Sequence, residues 1–128
     1  MPKPFKPEGY NSLSAYLLVP SAAQTIAFLK KVLDAEVLRQ FDGPDGRVMH
    51  AEVRIDDTVL MLAEGNEQWP PMPANIHIYV PDAIETYRKA IEAGAEAIME
   101  PVQRSEDDDL RGGVRDSGGT MWWFANQV

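Results

Sequence analysis

Residues 19–25 read Val-Pro-Ser-Ala-Ala-Gln-Thr, and residues 80–86 read Val-Pro-Asp-Ala-Ile-Glu-Thr. The identical positions are Val19, Pro20, Ala22 and Thr25 in the first copy and Val80, Pro81, Ala83 and Thr86 in the second. In each copy a proline ends a β-rich segment and a short polar residue follows as a helix N-cap. A pattern that recurs after about sixty residues predicts two tandem modules, with a binding site between the halves.

The rest of each half follows the same order of elements. Ser21 and Asp82 are the expected N-caps. The apolar stripes predicted to face inward are Ile26, Leu29 and Leu33 in the first helix and Ile84, Tyr87 and Ile91 in the second. Alternating strand segments follow each helix. The sequence therefore predicts a single α+β domain of two β-α-β-β-β modules, residues 12–64 and 75–126, joined by a proline-rich linker.

The composition of the chain limits the classes of partner that it can have. The net charge of −8 argues against nucleic acid, because no basic stripe offsets phosphate repulsion. No apolar run approaches the length of a membrane span, and the first residues have no apolar signal core. The chain has no cysteine, which excludes disulfides and thiolate metal sites. We expect a cytoplasmic protein of 128 residues in one compact unit, without nucleic-acid or membrane partners.

Three short words carry a family resemblance. Residues 46–52 read Gly-Arg-Val-Met-His-Ala-Glu, residues 59–63 read Val-Leu-Met-Leu-Ala, and residues 114–116 read Val-Arg-Asp. With the two modules, they resemble the vicinal oxygen chelate superfamily, and within it the PhnB-like branch. That superfamily includes glyoxalase I, extradiol dioxygenases, and bleomycin and fosfomycin resistance proteins. The resemblance implies modules that curl into a curved, half-barrel-like mixed sheet. Its members commonly pair, and open strand edges also favour a homodimer.

The resemblance also indicates where a metal would be bound. Metal-using relatives take ligands from the first and last strands of both modules, and alignment puts those positions on Ser14, Met61, Asn75 and Trp123. This set offers at best two weak neutral oxygens, so we predict no metal and no cofactor. A slip of strand register would leave one alternative open, a makeshift site from His50, His77 and Glu64.

Strand alternation divides the sheet residues between two faces. The side chains predicted to face the helices are Ala15, Leu17, Val19, Met49, Ala51, Val53, Ile76, Ile78, Trp122 and Phe124. Those predicted to face the concave side are Ser14, Tyr16, Leu18, His50, Glu52, Met61, Asn75, His77, Tyr79, Met121 and Trp123. The predicted ligand-binding residues among them are Ser14, Tyr16, Met61, Asn75, His77, Tyr79, Met121 and Trp123. His50 and Glu52, about 7 Å apart along one strand, are candidate catalytic acid–base residues. The alternative for His50 is a hydrogen-bonded structural histidine.

Three functions fit this pattern. The favoured one is a metal-free protein that binds a small cationic or aromatic molecule, because aromatic faces hold cations and flat ligands. The second is a lyase or isomerase-type enzyme that uses His50 and Glu52, or a non-standard metal site. The third is a dimeric protein whose concave side is closed and whose role lies at its surface.

Overall fold

The computed structural model describes residues 3–128. The elements, in chain order, are β1 Tyr16–Val19, α1 Ala22–Leu33, β2 Glu36–Asp42, β3 Val48–Ile55, β4 Thr58–Glu64, β5 Asn75–Tyr79, α2 Ala83–Glu92, β6 Glu96–Val102, β7 Leu110–Arg115 and β8 Met121–Asn126. They form two four-stranded mixed sheets, ordered β1-β4-β3-β2 and β5-β8-β7-β6. The predicted α+β fold of two β-α-β-β-β modules is confirmed. The two sheets remain separate and are not closed into a barrel.

Both helices begin at the predicted caps. The Ser21 side chain accepts a hydrogen bond from the Gln24 backbone at 3.3 Å, and Asp82 accepts one from Glu85 at 3.1 Å. These bonds satisfy one backbone donor of each first turn that has no partner within the helix. The repeated strand–proline–cap pattern therefore fixes where both helices start.

The inward face of α2 differs from the prediction. Ile84 is 57% exposed and Ile91 is also exposed, while Tyr87 packs only partly against the core. The buried face consists of the small residues Ala83, Thr86 and Ala90. The large side chains of Trp122 and Phe124 fill the core from β8 and leave room only for a small-residue helix face. In α1 Ile26 and Leu29 are buried as predicted, whereas Leu33 is only partly buried and Val32 is buried instead.

Strand β3 also differs from strict alternation. Its pairing with β2 shifts register near Asp42 and Val48, and Val48 rather than Met49 is buried. Met49, predicted to face the helices, is 63% exposed. An irregularity of this kind moves a side chain to the opposite face. Ala15, placed on the helix side by prediction, is exposed because β1 begins one residue later, at Tyr16.

One core joins the modules. Helix α1 contacts α2, and the rings of Phe28 and Trp122 lie 6.5 Å apart across the boundary. Buried residues from both modules form a single cluster around this contact. Because the helices cover one face of each sheet, the concave-side residues lie on the opposite face. Within residues 3–128, neither helix is long and apolar enough to cross a membrane.

Candidate functional site

The predicted ligand-binding and acid–base residues separate into two groups, one in each module. Ser14, Tyr16, His50, Glu52 and Met61 belong to the first module, and Asn75, His77, Tyr79, Met121 and Trp123 belong to the second. Among the described residues, no hydrogen bond joins one group to the other. The candidate site is therefore two side-chain clusters, which differ in chemistry.

The first cluster is a continuous hydrogen-bonded chain. Tyr16 Oη lies 2.9 Å from His50 Nδ1, and His50 Nε2 lies 2.7 Å from Glu52 Oε2. Tyr10 donates its phenolic proton to Glu52 Oε1 at 2.5 Å, and Arg39 Nε lies 3.5 Å from the same oxygen. The structure thus brings His50 and Glu52, the predicted acid–base pair, into direct contact, although their backbones are two residues apart. We call Tyr16, His50, Glu52 and Tyr10 the relay cluster.

Glu52 is a buried carboxylate held in its charged form. Burial alone would raise its pKa, but hydrogen bonds from Tyr10 and His50 and the charge of Arg39 together keep the pKa below the ordinary glutamate value. Its side chain is only 7% exposed. Sequence analysis missed Tyr10, because this residue precedes the first strand and follows no periodic pattern. Because Tyr10 donates a hydrogen bond to Glu52, the pKa of its phenol is raised above the ordinary tyrosine value.

A cavity of about 740 Å³ opens beside the relay cluster, between the β2–β3 turn and the linker. Its apolar lining includes Tyr16, Leu18, Met49 and Trp69. At its polar side, Arg47 Nε donates to Glu64 at 2.8 Å and Arg47 Nη2 donates to the Gly65 carbonyl at 2.7 Å. His50 and Glu52 do not line this cavity, so Tyr16 is the link between the cavity and the buried carboxylate.

The second cluster is built around a cation. Arg111 Nε donates to His77 Nε2 at 3.2 Å and Arg111 also pairs with Asp108 and Asp109. Tyr79 donates to Asp109 at 2.7 Å, a bond that raises the pKa of the phenol. Burial and the charge of Arg111 lower the pKa of His77. His77 is therefore held neutral, with Nε2 accepting from the guanidinium.

The positions that would hold a metal in relatives do not fit one. Trp123 Nε1 donates to Asn75 Oδ1 at 2.9 Å, so the indole occupies the only amide oxygen of the set. Ser14 Oγ accepts from Asn11 at 3.0 Å, and Met61 offers only a thioether. Residues 3–128 contain no group of three histidine or acidic side chains arranged to bind a metal.

The alternative makeshift metal site is not assembled either. His50 is bonded to Tyr16 and Glu52, whereas His77 belongs to the other sheet and accepts from Arg111. Glu64 is paired with Arg47 and also accepts from the Ala22 backbone at 3.3 Å. Each of the three candidate ligands thus has its own separate partners.

Comparison with known proteins agrees with this architecture. A family profile for the Glyoxalase/Bleomycin resistance protein/Dioxygenase superfamily matches residues 11–124. The uncharacterized protein Mb0911c of Mycobacterium bovis is 32% identical over 91% of this chain and 84% of its own length. The uncharacterized protein Rv0887c of Mycobacterium tuberculosis is also 32% identical, with 75% of its length covered.

Solved structures show the same fold at low identity. TioX from Micromonospora sp. ML1 superposes with a TM-score of 0.76 at 18% identity, covering 92% of this chain and 99% of TioX. A mutant of the fosfomycin resistance protein FosX from Listeria monocytogenes, in complex with Mn(II) and dihydroxypropylphosphonic acid, gives 0.71 at 16% identity and covers 92% and 91%. The profile match and the relatives agree with the two-module fold, and this chain belongs to the Glyoxalase/Bleomycin resistance protein/Dioxygenase superfamily.

Proposed function

We propose that this protein binds a small organic molecule in the cavity of its first module, without a metal at the positions that metal-using relatives employ. The observation that carries the proposal is the cavity itself. Its volume of about 740 Å³ lies in the range of ligand pockets, and its lining combines aromatic area with few polar groups. Such a lining favours a flat, largely apolar ligand.

The charge of the chain favours a cationic ligand over an anionic one. The net charge is −8, and Asp45 and Glu64 at the cavity outnumber Arg47, its only cation. The faces of Trp69 and Tyr16 are exposed to a ligand and attract positive charge. The FosX structure holds Mn(II) with a small phosphonic acid, but Ser14, Met61, Asn75 and Trp123 supply no comparable donor set here.

Further proposals concern the branch, the assembly and the location. The words at residues 46–52, 59–63 and 114–116 support membership of the PhnB-like branch. Each sheet has free edges, and its concave side exposes aromatic residues such as Phe41 and Tyr79. A homodimer would cover these edges and side chains. We place this homodimer in the cytoplasm. Sedimentation would contradict the dimer if it gave a 14.3 kDa species at high micromolar concentration.

The binding proposal is tested by calorimetric titration of the purified protein with a library of aromatic amines, amidines and acids. A ligand bound in the cavity should bind about tenfold more weakly to the Trp69→Ala variant, because its aromatic wall is lost. Phe5→Ala is the matched control, since Phe5 is a fully exposed aromatic outside the cavity. Equal loss in both variants, or no loss in Trp69→Ala, would place the ligand elsewhere.

The relay cluster supports acid–base catalysis as a second candidate function. His50 Nε2 lies 2.7 Å from a charged, buried carboxylate, which would stabilise an imidazolium formed during proton transfer. A lyase or isomerase reaction would use this pair through Tyr16, the member that reaches the cavity. Turnover of a bound ligand that disappears in His50→Gln, while binding remains, would make the protein an enzyme.

A further inference from the structure

We propose that Tyr16 selects ligands that donate a hydrogen bond, and that the preferred ligand is a flat aromatic molecule with an amidinium or ammonium group. This inference rests on the proposed binding function, because it concerns the same cavity. It adds the hydrogen-bonding group of the ligand and the atom that recognises it.

With a neutral His50, the hydrogen bonds of the relay cluster set the role of Tyr16. A charged Glu52 can only accept, so both Tyr10 and His50 Nε2 donate to it. A neutral imidazole that carries its proton on Nε2 accepts at Nδ1. The phenolic proton of Tyr16 therefore points to His50, 2.9 Å away. Donation along the whole chain runs inward, toward the buried carboxylate.

Because the Tyr16 proton points to His50, a ligand in the cavity would contact the acceptor side of the hydroxyl group. Tyr16 is 50% exposed and lines the cavity. Because its only proton is already used, its oxygen can only accept a hydrogen bond from a ligand. A ligand with a second acceptor at this point would leave both oxygens without a proton between them. A ligand donor would instead extend the chain, and its bond would be strengthened by polarisation toward Glu52.

The acidic groups of the cavity act in the same sense, and one of them offsets the charge of Arg47. Arg47, the cation there, already donates to Glu64 and to the Gly65 carbonyl. The Asp45 side chain accepts from the Arg47 backbone and adds a second negative charge. The hydrogen-bonded chain through His50 includes or contacts four other titratable or charged groups. These are Tyr16 on β1, Glu52 on β3, Arg39 on β2 and Tyr10 from the N-terminal segment. A cationic donor is thus the ligand end that fits.

A matched pair of probes separates donor from acceptor recognition. 2-Naphthamidine and 2-naphthoate have nearly the same shape, but the first donates and the second only accepts. Calorimetric titration should show at least about tenfold tighter binding of the amidine. Tyr16→Phe keeps the ring, removes the acceptor, and should weaken the amidine about tenfold with little change for naphthoate.

Tyr87→Phe is the control, because it removes a phenol on α2 that lies outside the cavity. It should leave both affinities unchanged. If the amidine binds with weakened affinity to Trp69→Ala but equally well to wild type and Tyr16→Phe, the inference is overturned while the binding function stands. Tighter binding of naphthoate than of the amidine overturns the inference as well. Failure of both probes to bind at millimolar concentration overturns the proposed cavity function and the inference together.

Discussion

The two modules carry different side chains at the same three register positions of neighbouring strands. In the first module these positions, on the first, last and third strands, are Tyr16, Met61 and Glu52. In the second module they are His77, Trp123 and Gly113. The backbone pairing is the same in both, so the difference in chemistry comes from side chains alone. The two modules therefore share one sheet topology but carry different candidate sites.

Trp123 explains why the second module lacks the buried acid. A Cβ placed on Gly113 would overlap the indole ring of Trp123, so the ring covers the position that Glu52 occupies in the first module. In the first module the residue paired with Glu52 is Met61, and the Glu52 carboxylate reaches His50 and Tyr10. One aromatic residue thus fills the space that the relay cluster uses in the other half.

The cores show a similar exchange of volume between helix and sheet. In the first module the buried core residues include Leu29 on α1 with Leu60 and Leu62 on β4, whereas at the equivalent positions the second has Ala90 on α2 with Trp122 and Phe124 on β8. Larger sheet residues are matched by smaller helix residues, as close packing requires.

The largest expected effect tests this exchange of volume. Leu29→Ala should lower the free energy of unfolding by about 2–5 kcal/mol, because a fully buried side chain leaves a cavity. Ala90→Leu, the reverse change at the equivalent position, should also destabilise, by about 1–3 kcal/mol, because Trp122 already fills the space. Urea unfolding measures both, with exposed Ile84→Lys as a near-neutral control. Stabilisation by Ala90→Leu would contradict the packing argument.

The next prediction concerns the close approach at Gly113. Gly113→Ala should cost about 1–3 kcal/mol of unfolding free energy, because the rigid indole cannot move away from the added methyl. In a Trp123→Met background, which restores the side chain of the first module, the same substitution should cost much less. Thermal and urea unfolding of the four proteins form a double-mutant cycle. Equal costs in both backgrounds would show that the indole is not the obstacle.

Glu52 gives a prediction with a pH signature. Glu52→Gln should lower the free energy of unfolding at neutral pH by about 1–3 kcal/mol, because charged hydrogen bonds to Tyr10 and His50 are weakened. The folded-state pKa of Glu52 is lowered, so its contribution is present above the ordinary value of 4.5 and is lost as the pH falls below it. The difference between wild type and variant should therefore shrink in acid.

Urea unfolding as a function of pH measures this difference. Glu85→Gln is the control, because the pKa of Glu85 is also lowered, by its hydrogen bond with Arg88, but the side chain is exposed. Solvent screening should leave that variant close to wild type at every pH. A stability gap for Glu52→Gln that persists unchanged in acid would mean that the effect is one of packing and not of charge.

The sequence predicts the fold well because both modules show local signals. The Val-Pro repeat and the caps Ser21 and Asp82 give the helix starts, and alternation gives most strand faces. The site was harder, because its decisive contacts cross long stretches of chain. Tyr10 reaches Glu52 over 42 residues, and Trp123 covers Gly113 from a neighbouring strand. Neither contact has a periodic signature, and the exposure of Met49 depends on a register shift that alternation cannot show.

The smallest expected effect is the response to a chelator. In metal-using relatives both modules contribute ligands, but here the first offers Ser14 and Met61, and the second offers Asn75, whose oxygen is bonded to Trp123. Excess EDTA should therefore change the melting temperature of the purified protein by less than about 1 °C, since a bound metal would stabilise the folded state by mass action. Elemental analysis measures the metal directly. About one zinc, nickel, iron or manganese per chain, with a fall in melting temperature on chelation, would contradict the prediction. If His50→Gln or His77→Gln then abolished that metal, the two modules would cooperate in a site despite their divergence, because histidines from separate sheets would share one ion.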